Sequence, residues 1–177
     1  MLLFWRHGYE GTSLAALTSA IGINTPSLYA AFGSKEQLFQ KVLERYLRNP
    51  ACYLPNALQE PTARKAVEKL FAGAIRMVAH VRHPDGCLLV QGALAAGPAA
   101  EAVRRQLAAT RRRAQRALQR RLERAVAERD LPRRANAERL AGYLITVLWG
   151  MSVQAAGGAT RGELAEIASM AMGVLWG

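Results

Sequence analysis

Residues 8–38 read GYEGTSLAALTSAIGINTPSLYAAFGSKEQL and carry the start and stop signals of two short helices. Ser13 is placed to cap the first helix, because a serine side chain can accept a hydrogen bond from a free N–H of the first turn. Gly22 is placed to end that helix, since glycine readily adopts the left-handed conformation found after helices. Asn24 or Thr25 can cap the second helix in the same way, and Gly33 follows its last turn. The spacing therefore predicts two short helices joined by a tight turn.

Such a pair has the size and spacing of a helix-turn-helix, whose second helix enters the major groove of DNA. Thr25, Ser27 and Tyr29 stand near the start of the second helix, and their hydroxyls can donate hydrogen bonds to bases or phosphates. The first turns of both helices offer free backbone N–H groups to phosphate oxygens. Lys35 adds a cation where the DNA backbone would pass. The alternative for Tyr29 is a core aromatic beside Leu28.

A third helix is predicted from Ser34 to residue 48, opened by the capping-box pattern Ser34-x-x-Gln37. Residues 1–7 have the character of the end of an earlier helix that stops at Gly8, so we expect the first helix to be truncated. Apolar residues of the two short helices are expected to form a small core, and they are Leu14, Leu17, Ile21, Leu28 and Phe32.

The same stretch resembles the DNA-binding head of TetR/AcrR-type transcriptional regulators. The resemblance rests on three runs, which are residues 8–14, 21–23 and 27–38. It implies a homodimeric repressor that binds a short palindromic operator in double-stranded DNA and leaves it when a small-molecule effector binds the body. Carried over by position, it assigns base contacts to Thr25, Ser27 and Tyr29, and DNA backbone contacts to Tyr9, Thr12, Ser13 and Lys35.

The rest of the chain is also predicted to be helical, because apolar residues recur at helical spacing and no stretch alternates as a strand does. Prolines at 50, 55 and 61 mark the best candidate boundary. We therefore expect an all-α fold, with a helix-turn-helix head over residues 1–48 and a helical body for ligand binding and dimerisation over residues 49–177. The last two body helices would form the dimer face. Body helices are expected at about 62–82, 87–96, 99–129, 135–157 and 161–176, the last opened by Thr160-x-x-Glu163.

The 177 residues include 24 Lys and Arg against 13 Asp and Glu, for a formal net charge of +11. This charge favours an anionic partner but does not locate its site. Residues 1–48 carry only +2 (five basic, three acidic), whereas residues 99–134 carry +8 (twelve basic, four acidic). We expect those arginines to cover the solvent face of a long helix. The alternative is a second surface for nucleic acid or an acidic partner.

Cys52 and Cys87 are too few for a disulfide framework, which favours a reducing cytoplasm. Cys87 is predicted in the first turn of a helix, where the helix dipole would lower its pKa and favour the thiolate. Because some TetR-type regulators have a similar Gly-Cys-Leu run at this place and resemble electrophile or redox sensors, the resemblance makes Cys87 a candidate sensor. The alternative is a buried core residue. Met77, Tyr143 and Trp149 are further candidates for lining an apolar ligand cavity.

Other classes of function find little support. His80, His83 and Cys87 have spacings that could surround a metal, but residues 84–86 break the helix between them, so no metal and no cofactor are expected. No phosphate-binding loop, nucleophile elbow or paired acids indicate an enzyme. Two alternatives remain: a small-molecule or stress-sensing helical protein whose head binds protein, and a membrane-associated protein anchored by residues 140–160.

Overall fold

The structure is a computed structural model that describes residues 1–79, 84, 86–94 and 100–176. These residues form helices connected by short loops, as the sequence predicts. Numbered in chain order, the helices are α1 (Leu2–His7), α2 (Leu14–Ile21), α3 (Thr25–Phe32), α4 (Lys35–Arg48), α5 (Tyr53–Ala57), α6 (Ala63–Val78), α7 (Leu88–Leu94), α8 (Glu101–Ala127), α9 (Ala137–Ala156) and α10 (Arg161–Trp176).

Side-chain caps begin several of these helices where the sequence places them. Ser13, Ser34 and Thr62 each accept a hydrogen bond from the N–H three residues further on, at 3.0–3.2 Å. Thr160 and Glu163 complete the predicted capping box of α10: the Thr160 N–H donates to Glu163 Oε2 at 2.7 Å, and the Glu163 N–H donates to Thr160 Oγ1 at 3.3 Å. These bonds satisfy N–H groups that a helix leaves free at its start.

The turn between α2 and α3 depends on a glycine and an asparagine. Gly22 has φ 79° and ψ 30°, in the left-handed region that glycine adopts without strain, and its N–H donates to the Thr18 carbonyl at 2.9 Å. Asn24 then caps α3, because its Oδ1 accepts from the Ser27 N–H at 2.8 Å. The predicted helix-turn-helix is formed.

The core of α2 and α3 is smaller than the sequence predicts. Leu17 and Leu28 are buried between the helices, and Leu14 and Phe32 pack against the core's edge. Ile21 is 46% exposed, so its predicted place in the core is wrong. It is the last residue of α2, where the chain leaves the helix and helical periodicity no longer decides which side is covered.

Helix α5 lies in the stretch that its prolines marked as a boundary. Pro55 falls within its first turn, where a missing N–H removes no intrahelical hydrogen bond. The helix packs closely on α6, because a Cβ added at Gly73 would lie 2.5 Å from the Cβ of Tyr53. The short helix therefore covers α6 rather than spanning an open linker.

The remaining helices pack around α8 and α9. Helix α8 contacts α6, α7 and α9, and α10 lies across α6 and α9. The inward stripe of α8 is fully buried at Leu107, Leu118 and Leu122. The sequence predicts this stripe from apolar spacing at i, i+4 and i+7.

Helices α1 and α4 pack against each other and against this bundle. Helix α1 packs on α7. Trp5 of α1 and Tyr46 of α4, both completely buried, meet edge-on with ring centroids 4.8 Å apart. The end of α4 is thereby fixed between α1 and the bundle.

Two further expectations concern a membrane span over residues 140–160 and the histidines near residue 80. Within the described ranges, no helix has both the length and the apolar character that a bilayer crossing needs, including α9, which holds most of residues 140–160. His80 and His83 lie outside the described residues, as do the predicted helix ends at residues 82 and 96.

Candidate nucleic-acid interface and body cavity

The first half of α3 presents three hydroxyl side chains to solvent. Thr25, Ser27 and Tyr29 are all exposed, and Tyr29 is 41% exposed. Tyr29 is therefore not a core aromatic, because the buried residue of α3 is Leu28. The next two residues, Ala30 and Ala31, are exposed as well, so hydroxyls and methyl groups make up the exposed surface of the helix.

The start of α2 places its two hydroxyl residues in different environments. Ser13 is exposed, and its Oγ accepts a hydrogen bond from the Ala16 N–H at 3.0 Å. The Ser13 hydroxyl hydrogen can therefore be donated to another acceptor. Thr12 is only 1% exposed, and its hydroxyl donates to the Gly8 carbonyl at 2.7 Å. The predicted DNA contact of the Thr12 side chain is therefore corrected, since this side chain fixes the loop after α1.

Tyr9 and Lys35, predicted as separate DNA contacts, form a pair. The Lys35 ammonium lies 4.6 Å from the centroid of the Tyr9 ring, a cation–π contact. The ring in turn packs edge-on against Phe39 at 5.5 Å. Partial burial lowers the pKa of Lys35, with Glu10 acting in the opposite direction. A packed aromatic ring thus positions the cation at the start of α4.

The N-terminal helices therefore bring six of the seven predicted DNA residues to accessible positions. Helix α3, which carries three of these residues, packs on both α2 and α4. The capped starts of α2 and α4 follow Ser13 and Ser34. Each of these starts has free N–H groups and the positive end of a helix dipole. The six residues are Tyr9, Ser13, Thr25, Ser27, Tyr29 and Lys35.

A second feature is an apolar cavity of about 230 Å³ inside the helical bundle. Helices α4, α5, α7, α8 and α9 contribute its walls. Its few polar side chains include Thr110 and Arg113. The full lining comprises Leu47, Ala51, Tyr53, Leu54, Pro55, Leu58, Cys87, Leu89, Thr110, Arg113, Ala114, Ala117, Ile145, Leu148 and Trp149.

Two of the four predicted ligand residues line this cavity and two do not. Cys87 and Trp149 belong to its wall. Met77 is buried and instead borders a separate polar cleft of about 360 Å³, which also contains Lys69. Tyr143 is 38% exposed on the outer side of α9. Helical spacing alone does not distinguish the side of α9 that faces the cavity from the side that faces solvent.

The environment of Cys87 reverses the expected direction of its pKa. The residue precedes α7, and its carbonyl accepts from the N–H groups of Val90 and Gln91 at 3.0 and 2.9 Å. Burial raises the pKa of the thiol, although the Tyr46 hydroxyl, nearby backbone N–H groups and Arg111 act to lower it. The predicted lowering by the helix start is therefore wrong, because loss of solvent outweighs the dipole.

Exposed apolar side chains gather on α9 and α10. Met170 and Val174, one turn apart on α10, are 75% and 73% exposed, and Val153 of α9 is 50% exposed. With Tyr143 they form what we name the α9–α10 face. Several large apolar side chains left in solvent on two helices that contact each other favour a surface that another molecule covers.

The arginines of α8 divide into outer and inner positions. Arg112, Arg116 and Arg120 are exposed, as the sequence predicts for a solvated helix face. Arg111 is partly buried and donates to the Leu89 carbonyl at 2.6 Å. Arg121 is only 4% exposed and donates to the Glu60 carbonyl at 2.9 Å, so its predicted surface position is wrong.

Comparison with known proteins agrees with this arrangement along the whole chain. Residues 1–42 match the model of bacterial regulatory proteins of the tetR family, and residues 61–157 match that of the tetracyclin repressor-like C-terminal domain. The chain is 34% identical over 170 residues to the HTH-type transcriptional repressor ComR of Escherichia coli (strain K12), covering 95% of this chain and 81% of that protein. It is 32% identical over 172 residues to the HTH-type transcriptional repressor BdcR of the same organism, covering 96% and 82%.

A solved structure is similar over nearly the full length. It is a cysteine mutant of the TetR family transcriptional regulator CifR, complexed with 26 bp double-strand operator DNA. The TM-score is 0.94 at 40% sequence identity, and the match covers 98% of this chain and 91% of that one.

Proposed function

We propose that this chain, which belongs to the TetR family of bacterial regulatory proteins, is a homodimeric, DNA-binding transcriptional repressor of the cytoplasm with no catalytic activity. The observation that carries the proposal is the exposure of Thr25, Ser27 and Tyr29 on the second helix of a helix-turn-helix. The repressor names of the relatives and the operator bound to the similar structure support it. We divide the chain into a DNA-binding head, residues 1–48, and a body, residues 49–177.

In this proposal α3 enters the major groove, and Thr25, Ser27 and Tyr29 contact base edges and nearby phosphates. Tyr9, Ser13 and Lys35 contact the DNA backbone on either side. The free N–H groups at the starts of α2 and α4 add further phosphate contacts. Base contacts supply sequence preference, whereas the backbone contacts set the position of the head on the duplex.

The α9–α10 face would bind the same face of a second copy. Two heads would then be held about one helical turn of DNA apart, which matches a palindromic operator. Met170 and Val174 project furthest into solvent and would lie near the centre of a four-helix contact.

The apolar cavity would hold a small effector, and Cys87 would allow the same response by covalent modification. Its lining is mostly apolar, which suits a ligand with few polar atoms. Because Cys87 lies in the wall, either event would press on the start of α7 and change the spacing of the two heads. The repressor would then leave its operator.

DNA binding is tested with labelled duplexes from the region upstream of the coding sequence. We expect one duplex to bind the purified protein with an affinity that falls steeply as salt rises, because Lys35 and the helix starts displace counterions from phosphates. Fluorescence anisotropy at several salt concentrations measures this dependence. A protein that binds no such duplex, at any salt concentration, would favour the alternative that the head binds protein.

The role of Cys87 is tested by alkylation in a Cys52→Ser background. Raised pKa means that less of the thiol is ionised at neutral pH, so reaction with iodoacetamide should still accelerate above pH about 8.5, the pKa of an ordinary thiol. Mass spectrometry follows the reaction, and the same protein unfolded in urea provides the reference thiol. Cys87→Ser should bind the operator normally and resist release by electrophiles or oxidants. Unchanged release from Cys87→Ser would eliminate the cysteine route.

A further inference from the structure

Tyr46 connects the head to the wall of the apolar cavity. It lies in the last turn of α4 and is completely buried. Its ring meets Trp5 of α1 edge-on at 4.8 Å, and its hydroxyl lies 3.2 Å from Cys87 Sγ and 3.4 Å from Met77 Sδ. One side chain thus contacts α1, α6 and the start of α7.

The Tyr46 hydroxyl is a buried donor that lies against two sulfur atoms, those of Cys87 and Met77. Burial raises the pKa of the phenol well above its usual value, so the group stays neutral and can donate. A buried hydroxyl is destabilised when it is separated from its partners. A shift at the start of α7 therefore either moves Tyr46 or breaks these hydrogen bonds.

Cys87 is the residue that the cavity and Tyr46 share. It borders the cavity, yet it is only 4% exposed and its Sγ touches the Tyr46 hydroxyl. Because the sulfur contacts the Tyr46 hydroxyl at 3.2 Å, a group bonded to the sulfur must either enter the cavity or move that hydroxyl. The nearest neighbour on the head side is Tyr46.

We propose that Tyr46 is the positioning residue that couples the state of the cavity to the placement of the recognition helix α3. A group pressing on or bonded to Cys87 displaces the Tyr46 hydroxyl and with it the end of α4. The movement reaches α3, which packs on α4, and α1 through Trp5. The inference rests on the proposed function, because it specifies how a change at the cavity reaches the DNA-binding head.

The test compares Tyr46 with Tyr46→Phe in a Cys52→Ser background, where Cys87 is the remaining thiol of the two in the chain. Phenylalanine keeps the ring against Trp5 and removes the hydroxyl. The probe is N-ethylmaleimide: the Cys87 sulfur adds to the alkene, an S–C bond forms as the C=C π bond breaks, and the thiol proton ends on the adjacent carbon. Intact-protein mass spectrometry matches the extent of modification, and anisotropy measures affinity for the operator duplex.

We expect modification to weaken operator binding by about 30-fold in the parent and by less than about threefold in Tyr46→Phe. The two unmodified proteins should bind equally. Phe71→Leu serves as a matched control, because it disturbs a buried aromatic of α6 outside this path and should keep the full response. Its melting temperature and that of Tyr46→Phe show whether lost stability alone changes release.

Each other outcome is decisive. An equal loss of affinity in the parent and in Tyr46→Phe overturns the role of Tyr46 and leaves the proposed repressor intact. Weak operator binding by unmodified Tyr46→Phe would overturn this role as well, since the hydroxyl would then maintain the DNA-binding state itself. The proposed repressor would again remain intact. A parent that binds no duplex contradicts the proposed function. A parent whose Cys87 resists modification, or whose affinity is unchanged by it, contradicts the cysteine route and this inference together.

Discussion

Tyr29→Ala is expected to weaken binding to the operator by about 100-fold, because a lost contact of about 1–1.5 kcal/mol is counted once in each half-site of the dimer. The residue is 41% exposed and lies on the outer side of α3, so the folded protein should lose little stability. Anisotropy with the operator and with a scrambled duplex measures the effect. Binding to the scrambled duplex should change much less, since base contacts supply the difference between them.

Two further variants distinguish contacts to bases from contacts to phosphates. Lys35→Gln should weaken binding to both duplexes and reduce the salt dependence, because a phosphate contact does not read sequence. Gln40→Ala is the control, since Gln40 is exposed on α4 outside the proposed interface. Operator affinity in Tyr29→Ala equal to that of the parent would contradict the assignment of α3 as the recognition helix.

Met170→Glu is expected to convert the dimer to a monomer and to reduce operator affinity by 100-fold or more, to roughly the affinity of one head for one half-site. Met170 is 75% exposed on the α9–α10 face, so its replacement should not disturb the fold of one chain. In the dimer the new carboxylate would be buried without a partner, which is strongly unfavourable. Sedimentation velocity measures the mass, and anisotropy measures DNA binding in the same samples.

The matched control places the same charge elsewhere on α10. Ala165 is exposed, but helical geometry sets it well over a quarter turn away from Met170, so Ala165→Glu should remain dimeric and bind DNA normally. If Met170→Glu also sedimented as a dimer, the α9–α10 face would not be the interface. The exposed apolar cluster would then need another partner.

The sequence predicts the helices well because their ends are set by local chemistry. Ser13, Ser34 and Thr160 form the hydrogen bonds that their positions indicate, and Gly22 adopts the left-handed conformation that its place after α2 requires. Such bonds join residues at most a few positions apart. They are therefore visible in a short stretch of sequence.

Burial is less predictable, since it depends on which helices meet. Thr12 and Arg121 are polar residues predicted on the surface, and both are buried by contacts with other segments. The raised pKa of Cys87 has the same origin: the helix start is local, but the loss of solvent comes from distant residues such as Tyr46. The pairing of Tyr9 with Lys35 likewise depends on how α1 and α4 approach.

Tyr46 and the cavity wall also give the protein its own optical probes. The sequence contains three tryptophans. Trp5 stacks edge-on against Tyr46 at the junction, Trp149 borders the apolar cavity, and Trp176 ends α10. Intrinsic fluorescence from Trp149 would therefore respond to filling of the cavity, while that of Trp5 would respond to movement of the junction. Variants that retain one tryptophan at a time would allow the order of the two events to be timed in solution without an attached dye.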